Sequence, residues 1–188
     1  RLQYTQEAYA AGKYAFVSDV ARIEALYQYG GFYMDTDVEV LKSFNPLLEA
    51  QCILGMEEKE YVATSFMAFE KGHPLVKEFL NLYEHLSFLD EKGKIIAGTN
   101  VAKLTKMLKE KGFVQENHYQ KLENGIQIYP KEFFSPYDYI NCHYNITENS
   151  YCVHHFAVSW MSKKEQVKKG IKKRIVKILG PEKMNGIR

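Results

Sequence analysis

GGFYMDTDVE, residues 30–39, is the stretch of sequence on which the predicted fold and site of this chain depend. Two glycines break the preceding helical pattern, and the short apolar run after them predicts a strand. Asp35 and Asp37 stand at the end of that run. In an extended segment their side chains would lean to one side, roughly 6 to 7 Å apart along the strand. Two convergent carboxylates are typical of a Mg²⁺ or Mn²⁺ site whose open positions accept diphosphate oxygens.

A helix is predicted immediately before this stretch. Ser18 is the predicted N-cap, Asp19 lies in the first turn, and Gly30 ends the helix. Asp19 and Arg22 share one helix face near the positive helix end, where an anionic ligand is favoured. An ordinary ion pair on a solvated face is the other interpretation of this pair. The apolar residues at helical spacing are Val20, Ile23, Leu26 and Tyr27.

The run SDVARIEALYQYGGFYMDTDVEVLK, residues 18–42, resembles the signature S-D-x-x-R…L…G-G-x-Y-x-D-x-D of glycosyltransferase family 32. This family of DXD-containing sugar transferases includes yeast α-mannosyltransferases and bacterial capsule and lipopolysaccharide enzymes. HHFAVSW, residues 154–160, is similar to the family's H-x-x-x-S-W element, and TSFMAFEKGHP, residues 64–74, to its central strand and the helix that follows. The resemblance implies an α/β, GT-A-like fold with a mixed sheet flanked by helices, and an N-terminal strand missing from this sequence.

The resemblance also implies how the donor, a UDP- or GDP-sugar, is bound. Asp19 and Arg22 would contact the nucleotide and its sugar phosphate, and Asp35 would contact the ribose and the donor sugar. Trp160 would donate its indole N–H to a phosphate oxygen, with Ser159 beside it. The acceptor would be a glycan or a lipid-linked glycan.

The metal ligands implied by the resemblance are Asp35, Asp37 and His155, which would hold Mn²⁺ or Mg²⁺. A metal at this place would stabilise the negative charge that develops on the departing nucleoside diphosphate. The family is described as retaining, with the departing phosphate helping to remove the acceptor proton, so no general base is assigned. A hydrogen-bonded core histidine is the alternative interpretation of His155.

Length and composition predict one catalytic domain. The 188 residues are 46% hydrophobic and 14% aromatic, which is enough to build one sizeable core. Residues 1–162 form the predicted domain, which we expect to be incomplete at its N-terminus because the sequence begins with Arg1. No apolar run approaches the roughly 20 residues that span a bilayer, and no signal peptide opens the chain. A cytoplasmic enzyme is therefore expected.

The cysteines favour a reducing compartment. Three of them, an odd number without C-x-x-C spacing, predict free thiols rather than a disulfide framework. A zinc site must also be considered, because cysteines and histidines cluster between residues 142 and 155. Their spacings match no common structural zinc pattern.

Residues 163–188 are strongly basic, with ten Lys and Arg against two Glu. Apolar residues recur among them at helical spacing and predict a basic amphipathic helix. This helix could lie on an anionic inner membrane face, or it could dock its apolar stripe on the domain. Nucleic-acid binding is not expected, because the rest of the chain is acidic and no aromatic platform interleaves with the lysines.

The remaining elements alternate between strands and helices. A polar loop crowded with Tyr137, Tyr139 and Tyr144 could form an aromatic acceptor cleft or simply pack on the core. Strands are predicted at residues 38–41, 52–56, 62–69, 126–129 and 151–154, and helices at 45–46, 74–88 and 98–112.

The predicted function is a metal-dependent retaining glycosyltransferase in the synthesis of a bacterial surface or capsular polysaccharide or lipopolysaccharide. One rival is a phosphatase of the haloacid dehalogenase type, with Asp35 as nucleophile and Asp37 as acid/base. Its motif expects Thr or Val where this chain has Glu39. The other rival is a non-catalytic binder of nucleotide sugars or carbohydrates.

Overall fold

The computed structural model describes residues 2–139, 141–157 and Gly170, apart from the side chain of Lys59. The predicted boundary after residue 162 and nearly all of the predicted basic helix at 163–188 lie outside these residues. Among the helices of the described part, none combines the length and apolar character needed to cross a membrane.

The described chain contains helices, strands and short 3₁₀ turns. The helices are α1 (Gln3–Ala10), α2 (Tyr14–Tyr29), α3 (Pro74–Glu84), α4 (Asn100–Glu110) and α5 (Lys131–Phe134), with short 3₁₀ turns at Asn45–Leu47 and Glu58–Glu60. The strands are β1 (Gly31–Met34), β2 (Val38–Val40), β3 (Cys52–Met56), β4 (Val62–Phe69), β5 (Gln120–Lys121), β6 (Ile126–Tyr129), β7 (Tyr137–Asp138), β8 (His143–Tyr144) and β9 (Cys152–His154).

The central sheet has the strand order β1-β4-β3-β6-β5. β4 is antiparallel to both of its neighbours, β1 and β3, while β3 and β6 are parallel. Strands β1, β3 and β6 therefore run in one direction, and their carboxyl ends meet at one edge of the sheet. In mixed α/β sheets ligands bind beyond such an edge.

Both faces of the sheet are buried, because alternate side chains of β3 and β4 enter two different cores. Leu54 and Met67 point into the larger core under α1 to α4. Ile53 and Phe66 point into a smaller core with Phe134 of α5. These near-continuous apolar runs are typical of a sheet covered on both sides. The predicted α/β fold, with a mixed sheet flanked by helices, is confirmed.

Several predicted boundaries were wrong, and hydrogen bonds account for two of them. Helix α2 begins at Tyr14, so Ser18 is no N-cap; its hydroxyl donates to the Ala15 carbonyl within the helix at 2.8 Å. Helix α3 ends at Glu84 rather than at Phe88, whose N–H donates instead to a carboxylate oxygen of α1 at 2.8 Å. The sequence analysis did not predict α1.

Gly30 fixes the connection between α2 and β1. Its φ of 69° lies in the left-handed region that favours glycine. A Cβ at this position would lie 2.6 Å from the Lys71 nitrogen and 2.9 Å from the Phe69 carbonyl oxygen. The prediction that Gly30 ends the helix is confirmed, and the glycine lets β1 start close to the end of β4.

Candidate functional site

The two aspartates of the DXD run lie in a turn beyond β1, at the carboxyl edge of the sheet. The Asp35 N–H donates to the Ser65 carbonyl at 2.9 Å, and the Val38 N–H donates to the Asp35 carbonyl at 3.0 Å. The run is therefore a turn between β1 and β2 rather than an extended strand, and the turn brings the carboxylates together.

His154 joins these carboxylates. Ligand atoms of Asp35, Asp37 and His154 all lie within 4.8 Å of one another. Pairing of β2 with β9 places Val38 opposite His154, and the His154 Nε2 lies 3.2 Å from an Asp37 oxygen. We call these three residues the Asp-Asp-His group. It is the only group of that geometry found among the described residues.

His155, which the sequence resemblance assigns as the third metal ligand, points elsewhere. Its Nε2 lies 2.9 Å from Glu39 and its Nδ1 lies 2.9 Å from the Tyr144 hydroxyl. Only its main chain touches the aspartates, through an N–H donated to the Asp37 carbonyl at 3.0 Å. Successive residues of a strand face opposite sides, so only one of two adjacent histidines can join the group. The geometry therefore favours His154 over His155 as the third candidate ligand.

The environment of His154 suits a metal ligand. Burial lowers its pKa, against the opposing effect of the Asp37 and Asp35 charges. A lowered pKa favours the neutral imidazole, which is the form that coordinates metals. Its ring lies 3.9 Å from the ring of Phe156, centroid to centroid, and its buried Nδ1 has no hydrogen-bond partner within the described part of the chain. Two carboxylates and a neutral imidazole are a ligand set that could hold a divalent metal ion.

The turn after His155 supplies a further hydrogen bond to the Asp37 carboxylate. Phe156 has a φ of 49°, an unusual conformation for a bulky side chain. This turn allows the Ala157 N–H to donate to the second Asp37 oxygen at 2.7 Å. Backbone strain of this kind is often found at functional sites.

Arg22 is buried between two carboxylates and is not part of a surface ion pair. Its guanidinium lies 3.2 Å from Asp19 and 3.0 Å from Asp35, and only 8% of its side chain is exposed. A further N–H donates to the Thr64 carbonyl at 2.9 Å. The interpretation of Asp19 and Arg22 as a solvated pair is therefore wrong. Arg22 links α2 to the DXD turn.

Tyr33 supports the same arrangement from β1. Its hydroxyl donates to Asp35 at 2.7 Å, and the Arg22 guanidinium lies 4.8 Å from the centre of its ring. Burial raises the pKa of Tyr33, so the phenol stays protonated and remains a donor. Asp35 is thereby held by both a cation and a hydroxyl.

Asp19 has partners that the sequence analysis missed. Burial raises its pKa, while Arg22 and the side-chain amide of Asn100 lower it. Asn100 is 3% exposed, and its carbonyl oxygen accepts a hydrogen bond from Tyr83 at 2.9 Å. This bond fixes the orientation of the amide, whose buried nitrogen lies near Asp19 but has no hydrogen-bond partner among the described residues. Asn100 lies 81 residues from Asp19 in sequence, and no local motif signals the contact.

Other predicted features have mixed outcomes. Cys52, Cys142 and Cys152 are free thiols as predicted. Tyr137 is 1% exposed and packs on Tyr144, which favours the packing interpretation for this tyrosine. The roles assigned to Ser159 and Trp160 stay predictions, because both residues lie outside the described part of the chain.

Comparison with known proteins agrees with this geometry. Residues 3–54 match the family model described as "Glycosyltransferase sugar-binding region containing DXD motif". The predicted resemblance to DXD-containing glycosyltransferases is thus confirmed. The matched region includes Asp19, Arg22 and both aspartates of the DXD turn.

Relatives with assigned names are transferases. Lactosylceramide 4-alpha-galactosyltransferase of Mus musculus is 32% identical over 125 residues, which cover 66% of this chain and 33% of that protein. Inositol phosphoceramide mannosyltransferase 3 of Schizosaccharomyces pombe is 31% identical over 71 residues, covering 38% of this chain and 20% of that protein. The chain thus spans about a third of the length of the mouse relative. Among solved structures, PaToxG glycosyltransferase is 24% identical with a TM-score of 0.43, covering 56% of this chain and 38% of that one.

Proposed function

We propose that this chain, which carries a glycosyltransferase sugar-binding region with a DXD motif, belongs to a metal-dependent retaining glycosyltransferase. The observation that supports the proposal most is the Asp-Asp-His group, whose ligand atoms lie within 4.8 Å of one another. The buried Arg22 guanidinium lies 3.0 Å from one member of the group. Carboxylates for a cation and a fixed positive charge for a phosphate thus converge at the ligand-binding edge of the sheet.

Asp35, Asp37 and His154 would hold Mn²⁺ or Mg²⁺. When bound, the cation supplies charge stabilisation for the departing nucleoside diphosphate. The surrounding residues prepare this site before the donor arrives. The Ala157 N–H orients Asp37, while Tyr33 and Arg22 orient Asp35, so little reorganisation is needed during the reaction.

The donor in this proposal is a UDP- or GDP-sugar. Arg22 offers its charge to the sugar phosphate, while Asp19 and Asp35 accept hydrogen bonds from ribose or sugar hydroxyls. Ser159 and Trp160 would close the site from the segment after β9. Donor hydroxyls suit these carboxylates, because an ionised carboxylate is purely an acceptor.

The acceptor in this proposal is a glycan or a lipid-linked glycan. Both relatives described above have a ceramide lipid in their names, which supports a glycolipid acceptor. Synthesis of a bacterial surface or capsular polysaccharide, or of lipopolysaccharide, remains our proposed setting. The ten basic residues of the segment 163–188 favour a cytoplasmic protein that contacts an anionic inner membrane face.

The test is donor turnover by the purified protein. A panel of UDP- and GDP-sugars is incubated with Mn²⁺, and release of UDP or GDP is measured with and without EDTA. We expect slow hydrolysis of one donor, abolished by EDTA and by Asp37→Asn. Glu110→Gln, on the exposed end of α4, is the matched control and should leave hydrolysis unchanged.

Two results would contradict the proposal. Donor binding without hydrolysis or transfer would identify a non-catalytic binder. Hydrolysis that persists in Asp37→Asn would show that the DXD turn does not hold the catalytic cation.

A further inference from the structure

Glu57 occupies the same sheet edge as the Asp-Asp-His group. Strands β1 and β3 both run antiparallel to β4, which lies between them, so their carboxyl ends point the same way. Asp35 follows β1, and Glu57 follows β3. The Glu57 N–H donates to the Tyr61 carbonyl at 2.7 Å, which anchors this residue at the base of the β3–β4 connection. A rigid hairpin therefore positions the carboxylate.

Among the described residues, none donates a hydrogen bond to the half-buried Glu57 carboxylate. The neighbouring Glu58 differs, because its carboxylate lies 3.0 Å from the Lys131 amine. Burial raises the pKa of Glu57 to about 7, and the charges of Glu58 and Asp35 add to this effect. Burial of a carboxyl group without a hydrogen-bond partner destabilises the fold. The presence of Glu57 at this position therefore favours a role in binding a ligand.

Two aromatic rings lie near both Glu57 and the Asp-Asp-His group. The ring of Tyr139 lies 4.7 Å from that of Phe156, and the Phe156 ring lies 3.9 Å from that of His154. Burial raises the pKa of Tyr139, and the charge of the nearby Glu57 adds to this effect. Both rings are half-buried, so part of each remains accessible. Aromatic faces pack well against the apolar faces of sugar rings.

We propose that Glu57, Tyr139 and Phe156 form the acceptor subsite, where a sugar ring packs on the two aromatic side chains and donates a hydroxyl hydrogen bond to Glu57. This inference rests on the proposed function and assigns its acceptor side. The subsite places the acceptor sugar beside His154 of the Asp-Asp-His group. Glu57 acts here in binding and orientation, and no proton transfer is assigned to it.

The experiment separates acceptor binding from donor chemistry. Transfer to octyl β-lactoside, octyl β-galactoside and octyl α-mannoside is measured together with donor hydrolysis in the absence of acceptor. Glu57→Ala should raise the acceptor KM about tenfold, the loss expected for one good hydrogen bond, while donor hydrolysis stays within about twofold. Glu57→Gln should recover part of the loss, because its amide oxygen still accepts. Glu110→Gln, on the exposed end of α4, is the control and should leave the acceptor KM unchanged.

Tyr139 provides an independent second test. Tyr139→Phe keeps the ring and should preserve the acceptor KM, whereas Tyr139→Ala should raise it. Equal loss of donor hydrolysis and transfer in Glu57→Ala, with an unchanged acceptor KM, would overturn the subsite. If the wild type hydrolyses no donor, the proposed function fails separately, and saturation-transfer NMR with octyl β-lactoside then decides the subsite. Binding that both alanine variants weaken supports it, and binding that neither weakens, or none at all, contradicts it.

Discussion

Arg22→Met should destabilise the protein because it leaves two enclosed carboxylates without their shared cation. Arg22 is 8% exposed, and the side chains of Asp19 and Asp35 are 16% and 25% exposed. Breaking a buried ion pair by removing one partner costs about 3 to 5 kcal/mol. Because both carboxylates retain some solvent, we expect the lower end, about 3 kcal/mol of unfolding free energy at pH 7.

The unfolding free energy lost in Arg22→Met should be larger at high pH than at low pH. Burial already raises the pKa of Asp19 in the folded protein, and removal of Arg22 raises it further. A carboxyl group with a raised folded pKa stabilises the protein below its unfolded value of about 3.9, and that stability is lost as pH rises through the folded value. The difference between variant and wild type should therefore be largest at pH 7 and smaller at about pH 4.

Urea unfolding at both pH values measures this difference. Lys111→Met is the matched control, since Lys111 and Glu78 form an exposed pair at 2.7 Å with 32% and 50% exposed side chains. Loss of this exposed ion pair should lower the free energy of unfolding by less than about 1 kcal/mol. The reasoning is refuted if Arg22→Met costs no more than this control, or if its cost is equal at the two pH values.

Three further substitutions test separate parts of the account. Gly30→Ala should destabilise the protein by more than about 2 kcal/mol in urea unfolding, because its Cβ would lie 2.6 Å from a backbone nitrogen. In the control Gly12→Ala the new Cβ meets no atom within 4 Å, and the cost should be about 1 kcal/mol. Equal costs would contradict the steric argument. His154→Ala should weaken Mn²⁺ binding at least about tenfold in calorimetric titration, while His155→Ala changes it less than about threefold; the opposite order would restore His155 as the ligand. Asn100→Ala should weaken UDP binding at least about threefold, because the amide that lowers the pKa of Asp19 is lost and this carboxylate is then more easily protonated. An affinity equal to that of the wild type would exclude that role.

Local patterns in the sequence were sufficient for β1, β3, β4 and β6 of the central sheet and for the position of the two aspartates after β1, but not for β5. The apolar runs at β3 and β4 are buried on both faces of the sheet, and such runs can be recognised from the sequence alone. Gly30 was also readable, because helix ends followed by strands commonly need a left-handed residue. The start of α2 was not, since Ser18 can cap a helix or bond backwards within one.

The rest of the site depends on contacts between distant segments. Only the pairing register of β2 with β9 decides which of His154 and His155 faces the aspartates. Asn100 and Glu57 reach the site through the packing of α4 and the order of the strands, and neither lies in a motif. Sequence periodicity therefore predicted most of the longer helices and strands, whereas α1, the short strands and the partners of Arg22 and Asp19 required the folded structure.

Binding of Mn²⁺ in the presence of UDP or GDP tests the central claim most directly. Electron paramagnetic resonance of free Mn²⁺ measures this binding in the wild type and in Asp37→Asn, with circular dichroism as the control for folding. We predict one nucleotide-dependent Mn²⁺ site per wild-type chain, and its loss in a folded Asp37→Asn protein. Undiminished Mn²⁺ binding by that variant would show that the DXD turn does not hold the cation, and the account would be wrong.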